Sequence, residues 1–328
     1  MTNLKNLIKH KNRKKIIFTA GPASLIEQNL SNISPGFGRG DKNYNKTFLS
    51  VVSKIKKISG QKKVVTTQGS GSTALEIVAL NFLKGKILIV STGYYSERLF
   101  NITKFAKKTH KKIKSISKID WKNLNKFTKE KFDWVWACPT ETSLGLRIPI
   151  IELKKFAKKT NSKLALDATA SIGLEKDHKL ADVVSFSSCK GLFGLTGASF
   201  ICYKKKPVNK VNSFVLNIKN LEQKKMTGPI HTIQSLEQIL KKYNDFKKSV
   251  INNKKRMLLK FKKNLVYSKK NQPLLCTFVN KKIVSKNKNV ILYKPRLNIN
   301  GSVVCHLGEV HLGKKAKGRI LDLLKINE

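Results

Sequence analysis

Arginine is scarce in this chain. Of 67 basic residues only seven are arginine (Arg13, Arg39, Arg98, Arg147, Arg256, Arg296 and Arg319), and 19 acidic residues leave a formal net charge of +48. Readers of nucleic acid lean on arginine's planar fork for phosphates and base edges. Here the lysines are spread along the whole chain, with asparagine and isoleucine also heavily used. The charge therefore reads as a compositional bias on a solvated surface. No specific nucleic-acid partner is expected, only weak nonspecific attraction to polyanions. The scarcity has a second use: an arginine inside a motif is not filler. Long apolar runs are missing too, which argues against a membrane helix. The basic start "MTNLKNLIKHKNRKKIIF" lacks the apolar core of a signal peptide, so a cytoplasmic chain is expected. The five cysteines (Cys138, Cys189, Cys202, Cys276, Cys305) are odd in number and scattered, with no CxxC pair. That pattern predicts reduced, buried thiols and no metal site.

What is present is a long alternation. The 328 residues are 40% hydrophobic, enough for one large core or two domains. Between residues 64 and 205, short apolar runs ("VVTTQG", "KILIVST", "KKIKSISK", "FDWVWACP", "KLALDAT", "DVVSFSS", "ASFICYKK") are separated by segments with helical spacing, such as "STALEIVALNFL", "ERLFNITKFAKKT" and "IPIIELKKFAKKT". Apolar strands divided by helices predict an α/β core with a mainly parallel, doubly wound sheet. Residues 206–235 are looser. One long helix is expected from residue 232 to 265, followed by three strand-like pieces ("PLLCTFVN", "VILYK", "SVVCHLG") and a closing helix over "KKAKGRILDLLKI". The expected division is a basic arm over 1–15, a large domain over 16–235 and a small α+β domain over 236–328.

Three features carry chemistry. "TQGSGSTALE" places Ser70, Gly71 and Ser72 between a strand and a helix, where free N–H groups and the helix dipole favour a phosphate; an ordinary capped helix start is the plainer reading. Asp167 ends "KLALD", at the carboxyl edge where α/β sheets place ligands, although an acid there also caps loops. Lys190 is the single charged residue in "SFSSCKGLFGLTGASF". Apolar burial disfavours the charged form of an amine, and a neutral amine attacks an aldehyde; the alternative is a lysine that snorkels to water. A Schiff-base lysine, an acid at a strand end and a phosphate cradle are together the parts that hold pyridoxal phosphate (PLP).

In this order, "FTAGPASL" (18–25), "QGSGSTALE", "VSTGYYSERL" (90–99), "ETSLG" (141–145), "LDATASIG", "SSCKG", "TGPIHTIQSLEQIL" and "HLGEV" (306–310) resemble the motifs of class V aminotransferases. The likeness is greatest to the 2-aminoethylphosphonate–pyruvate and alanine–glyoxylate groups. It runs from about residue 16 to 325 and rests on the order of eight segments. It implies the fold-type I architecture: a mainly parallel seven-stranded sheet sandwiched by helices, with a small C-terminal α+β domain. It implies that Lys190 carries PLP, that Asp167 pairs with the ring nitrogen, and that Ser70, Gly71 and Ser72 hold the phosphate. Tyr95 would stack on the ring and Thr142 would sit near its 3-oxygen. Thr227 would reach the phosphate of a second subunit, implying a homodimer with shared sites that acts on a small amine and a 2-oxo acid such as pyruvate. His231 would be structural. The chain departs where the family carries an arginine, in "FRIGNIGEV": the matching residue is Val303. Gly21, Arg39 and Arg296 are then the candidates on the substrate side. Three readings stay open: a transaminase on a small amine such as 2-aminoethylphosphonate, a PLP-dependent decarboxylase or lyase, and a non-catalytic polyanion-associating protein.

Overall fold

The computed structural model describes residues 3–23, 25–38, 40–126, 130–307, 310 and 321–327. Seven strands, β1 (Lys63–Gln68), β2 (Gly85–Ser91), β3 (Ile113–Asp120), β4 (Trp134–Ala137), β5 (Lys163–Asp167), β6 (Val183–Ser187) and β7 (Ala198–Tyr203), form one sheet in the order β1–β7–β6–β5–β4–β2–β3. Only β7 runs against its neighbours. Each of the seven apolar runs read from the sequence is one of these strands.

Alternate residues of each strand feed two cores. Ile87, Ile89, Trp134, Trp136 and Ala165 face α1 (Gly71–Phe82) and α2 (Tyr94–His110). Leu88, Val90, Val135, Leu164, Leu166 and Phe186 face α3 (Ile150–Lys159) and the helices Lys42–Ser59 and Ile230–Lys241. β4, β6 and β7 are buried on both faces, which is why their sequences show apolar runs instead of strict alternation.

A third, smaller core gathers Phe18, Met257, Phe261, Val279, Val304 and Leu324. Phe18 enters it because strand Ile16–Phe18 pairs in parallel with Val290–Leu292, so the first strand of the chain lies with the C-terminal residues. Cys276–Val279 pairs with Ser302–Cys305.

The structure adds detail to some expectations and corrects others. The basic residues before position 15 include a helix, Leu4–Arg13, capped by the Asn3 side chain. The looser stretch after β7 carries the short helix Ile218–Glu222. The long helix is two helices, Ile230–Lys241 and Tyr243–Lys260, broken at Lys242. The break turns Tyr243 inward, where its hydroxyl donates to Gly191 O (3.0 Å) and its ring packs on Phe193. The closing helix falls partly outside the described residues. Its end is a 3-10 turn, Leu321–Leu323, and a short strand, Lys325–Ile326, paired with Ile283–Val284. Four of the five cysteines are buried; Cys189 is half-buried.

Candidate active site

The candidate residues converge on the carboxyl edge of the sheet. β1 ends into the Gly-rich turn, β2 into Gly93 and α2, β5 in Asp167, and β6 into Lys190. Ser70 is the N-cap of α1, and its hydroxyl makes no cap bond, so the first turn's N–H groups are uncapped by it. A Cβ on Gly71 would stand 2.9 Å from Thr169 Oγ1, so a side chain there would press on Thr169 in the loop that follows Asp167.

Asp167 is 4% exposed. Its Oδ1 accepts from the Thr169 N–H (3.0 Å), and no cation lies within ion-pair distance of it among the described residues. A carboxylate buried in this way needs a partner to offset its desolvation. Lys190 is half-buried, less enclosed than its apolar sequence suggests. Its Nζ lies 5.2 Å from the Tyr95 ring centroid, and its Cγ would stand 2.7 Å from a Cβ on Gly21, whose φ is +134°. Cys138 lies within electrostatic reach of Asp167, Glu141 and Lys190, and burial, above all, pushes its thiol up.

The Tyr95 ring lies close to two cations, Lys190 and Arg98, whose guanidinium carbon is 4.9 Å from the centroid. Arg98 Nη1 also donates to Ser72 Oγ (3.1 Å), which brings a positive charge to the phosphate turn. Tyr95 is held by a residue that the sequence reading passed over. Glu141, fully buried, accepts from the N–H groups of Tyr95 (3.0 Å) and Ser96 (3.4 Å) and from the hydroxyls of Thr92 and Ser143. It caps α2 from the short strand Thr140–Glu141. Burial raises its carboxyl above the usual range, and the hydrogen bonds from Ser143, Tyr95 and Ser96 oppose that shift. The signal was present: Glu141 is adjacent to Thr142 in a chain with few acids.

Thr142 Oγ1 and the Tyr293 hydroxyl are both buried with no hydrogen bond of good geometry among the described residues. Tyr293, also missed, faces Thr142 and Tyr95, and burial pushes its phenol up. Arg296 lies at the rim, its Nη1 3.4 Å from Tyr94 OH. Arg39 lies outside the described residues, as do Gly308 and Glu309 of "HLGEV". Thr227 does not join the cluster within this chain. It is exposed, its carbonyl accepts from Gln68 Nε2 (3.2 Å), and it lines a separate cavity of about 910 Å³ with Tyr44, Phe48, Val64 and Phe214. Val303 is buried in strand Ser302–Cys305 and presents no charge. No helix among the described residues is long and apolar enough to cross a membrane.

Residues 43–237, more than half of the chain, match the family model "Aminotransferase class-V". The chain belongs to the class-V aminotransferase family. Among relatives, it is 25% identical over 251 residues to the bifunctional phosphonoacetaldehyde hydrolase/aminoethylphosphonate transaminase of Clostridioides difficile, a match that covers 69% of this chain but only 39% of that protein. It is 24% identical over 259 residues to a 2-aminoethylphosphonate–pyruvate transaminase of Pseudomonas entomophila, covering 70% of this chain and 69% of the relative. The alanine–glyoxylate aminotransferase of Nostoc sp. superposes with a TM-score of 0.77 at 16% identity over 92% of each chain, which establishes the shared fold-type I architecture.

Proposed function

We propose that this class-V family member is a PLP-dependent aminotransferase, moving an amino group from a small amine of the 2-aminoethylphosphonate type, or a small amino acid, to a 2-oxo acid such as pyruvate. The observation that carries the reading is the placement of Lys190, against Gly21 on one side and the Tyr95 ring on another, at the same sheet edge as a buried Asp167 that lacks a paired cation. Those residues fit the cofactor: a protonated ring nitrogen is the partner that Asp167 lacks, and the buried Thr142 hydroxyl is available to a ring oxygen.

When bound, PLP supplies an electron sink that stabilises negative charge at the carbon bearing the amino group. The chain's residues supply the rest. Lys190 would attach the cofactor and, once released, carry the proton between substrate and cofactor carbons. Asp167 would keep the ring nitrogen protonated. Tyr95 would stack on the ring, its position fixed by Glu141. Ser70, Gly71 and Ser72, with Arg98 beside them, would hold the phosphate at the α1 N-terminus. Thr227 would serve the site of a second copy in a cytoplasmic homodimer. The chain spans about two-fifths of the bifunctional relative, so the proposal concerns the aminoethylphosphonate transaminase activity of that protein alone.

The pure protein is expected to be yellow, with the visible band abolished by Lys190→Ala. An amine added without an oxo acid should convert the band to that of the pyridoxamine form. A protein that stays colourless with added PLP overturns the proposal. Buried Val303, where the family has an arginine, favours a second reading as a decarboxylase or lyase; carbon dioxide released without the pyridoxamine band would establish it.

A further inference from the structure

Two of the seven arginines, Arg98 and Arg296, approach one phenol ring. The Arg296 guanidinium carbon lies 5.4 Å from the Tyr94 centroid and its Nη1 3.4 Å from Tyr94 OH. The Arg98 guanidinium carbon lies 5.5 Å from the same centroid and 4.9 Å from that of Tyr95. Tyr95 in turn faces Lys190 at 5.2 Å. The groups thus form a line from the amine to the surface: Lys190, Tyr95, Arg98, Tyr94, Arg296. In a chain that uses lysine almost everywhere else, this is not composition.

Neither guanidinium has a carboxylate partner among the described residues, whereas Arg147 pairs with Glu175 at 2.7 Å. Arg296 is exposed, so most of its donors are open to an incoming group. The Tyr94 oxygen accepts from arginine, which leaves its own proton to donate outward. The hydrogen bonds from Arg98 and then Arg296 also lower the Tyr94 phenol's pKa, making it a better donor. The strand Ser302–Cys305 offers no competing cation, because Val303 is buried and apolar.

We propose that Arg296, held on Tyr94 beside Arg98, grips the acidic group of the substrate, a carboxylate or phosphonate on a small amine. The inference rests on the aminotransferase reading and deepens it. The planar fork offers two parallel N–H groups to an oxyanion, a geometry that lysine cannot reproduce. Tyr94 limits the fork's freedom, so less order is lost on binding.

The test uses PLP-loaded protein and two unreactive acids, propionate and ethylphosphonate, titrated by calorimetry. Propylamine, which has no acid, is scored by the change of the visible band. Arg296→Gln should weaken binding of the preferred acid at least tenfold, Arg296→Lys should not restore it, and the response to propylamine should be unchanged in both variants. A loss for ethylphosphonate larger than for propionate assigns a phosphonate substrate; the reverse assigns a carboxylate. Acids bound equally by wild type and Arg296→Gln, or by neither, overturn the proposal while the yellow band stands. A parallel loss of the propylamine response overturns it in favour of a structural role. A wild type with no band removes the aminotransferase reading and this inference with it.

Discussion

A methyl group on Gly21 would stand 2.7 Å from Lys190 Cγ and 3.3 Å from Cys189 O, on a backbone at φ +134°. Such a φ costs a non-glycine residue on the order of 1–3 kcal/mol, and the clash falls on the side chain that the chemistry needs. Gly21→Ala is therefore expected to lower the unfolding free energy by about 1–3 kcal/mol in urea titration and to weaken the visible band at fixed PLP. Gly38→Ala is the control, because a Cβ there meets nothing within 4 Å. Wild-type colour and stability in Gly21→Ala would show that this contact does not set the lysine. Sequence likeness pointed to Gly21 as a substrate-side residue. The structure places it against Lys190, a contact between residues 169 positions apart that no local pattern encodes.

At the scale of elements, α2 starts with a cap supplied from elsewhere in the chain. Glu141 accepts the N–H groups of Tyr95 and Ser96 together with the Thr92 and Ser143 hydroxyls. Glu141→Ala leaves buried donors unmet, and each costs roughly 1–3 kcal/mol. The variant should unfold at lower urea and, because Tyr95 loses its anchor, show a weakened and shifted visible band. An unshifted band would mean that Tyr95 is held without Glu141. The strands and α1–α3 were legible because two-sided burial writes apolar runs and amphipathic helices write a 3.6 period. The break at Lys242 was not. Helical spacing continues on both sides of it, and a tertiary contact, Tyr243 to Gly191 O beside the lysine loop, decides the turn. Tyr243→Phe, which keeps the ring and removes that bond, should cost about 1 kcal/mol and is checked by the same titration. The pairing of strand Ile16–Phe18 was hidden for a related reason: its partner, Val290–Leu292, lies at the far end of the chain.

Across the whole molecule, two buried histidines tie stability to acid. Burial depresses His178 to about 4, with Lys247 adding to the effect, and depresses His306 to about 3. Each has a folded pKa below its unfolded value near 6.5, so its contribution is present above about pH 6.5 and is lost as pH falls toward 4 and then 3. At 1.36 kcal/mol per pKa unit, His178 is worth on the order of 3 kcal/mol and His306 on the order of 5 kcal/mol. Urea titrations from pH 8 to pH 4 should show a steep decline, flattened in His178→Gln; a flat wild-type profile would contradict it. The proposed homodimer is tested at the same scale. Phe37, Leu49 and Phe214 are 63%, 63% and 57% exposed. Phe37 and Phe214 line the 910 Å³ cavity that also holds Thr227, away from this chain's own Lys190. Apolar surface grouped at such a cavity is what an isologous interface would cover. Sedimentation of the wild type should give a dimer, and Phe214→Glu should shift it toward monomer and weaken PLP binding together, because Thr227 would then be withdrawn from the second site. A wild-type monomer that retains the full visible band would place Thr227 outside the cofactor site and leave each chain with a complete site of its own.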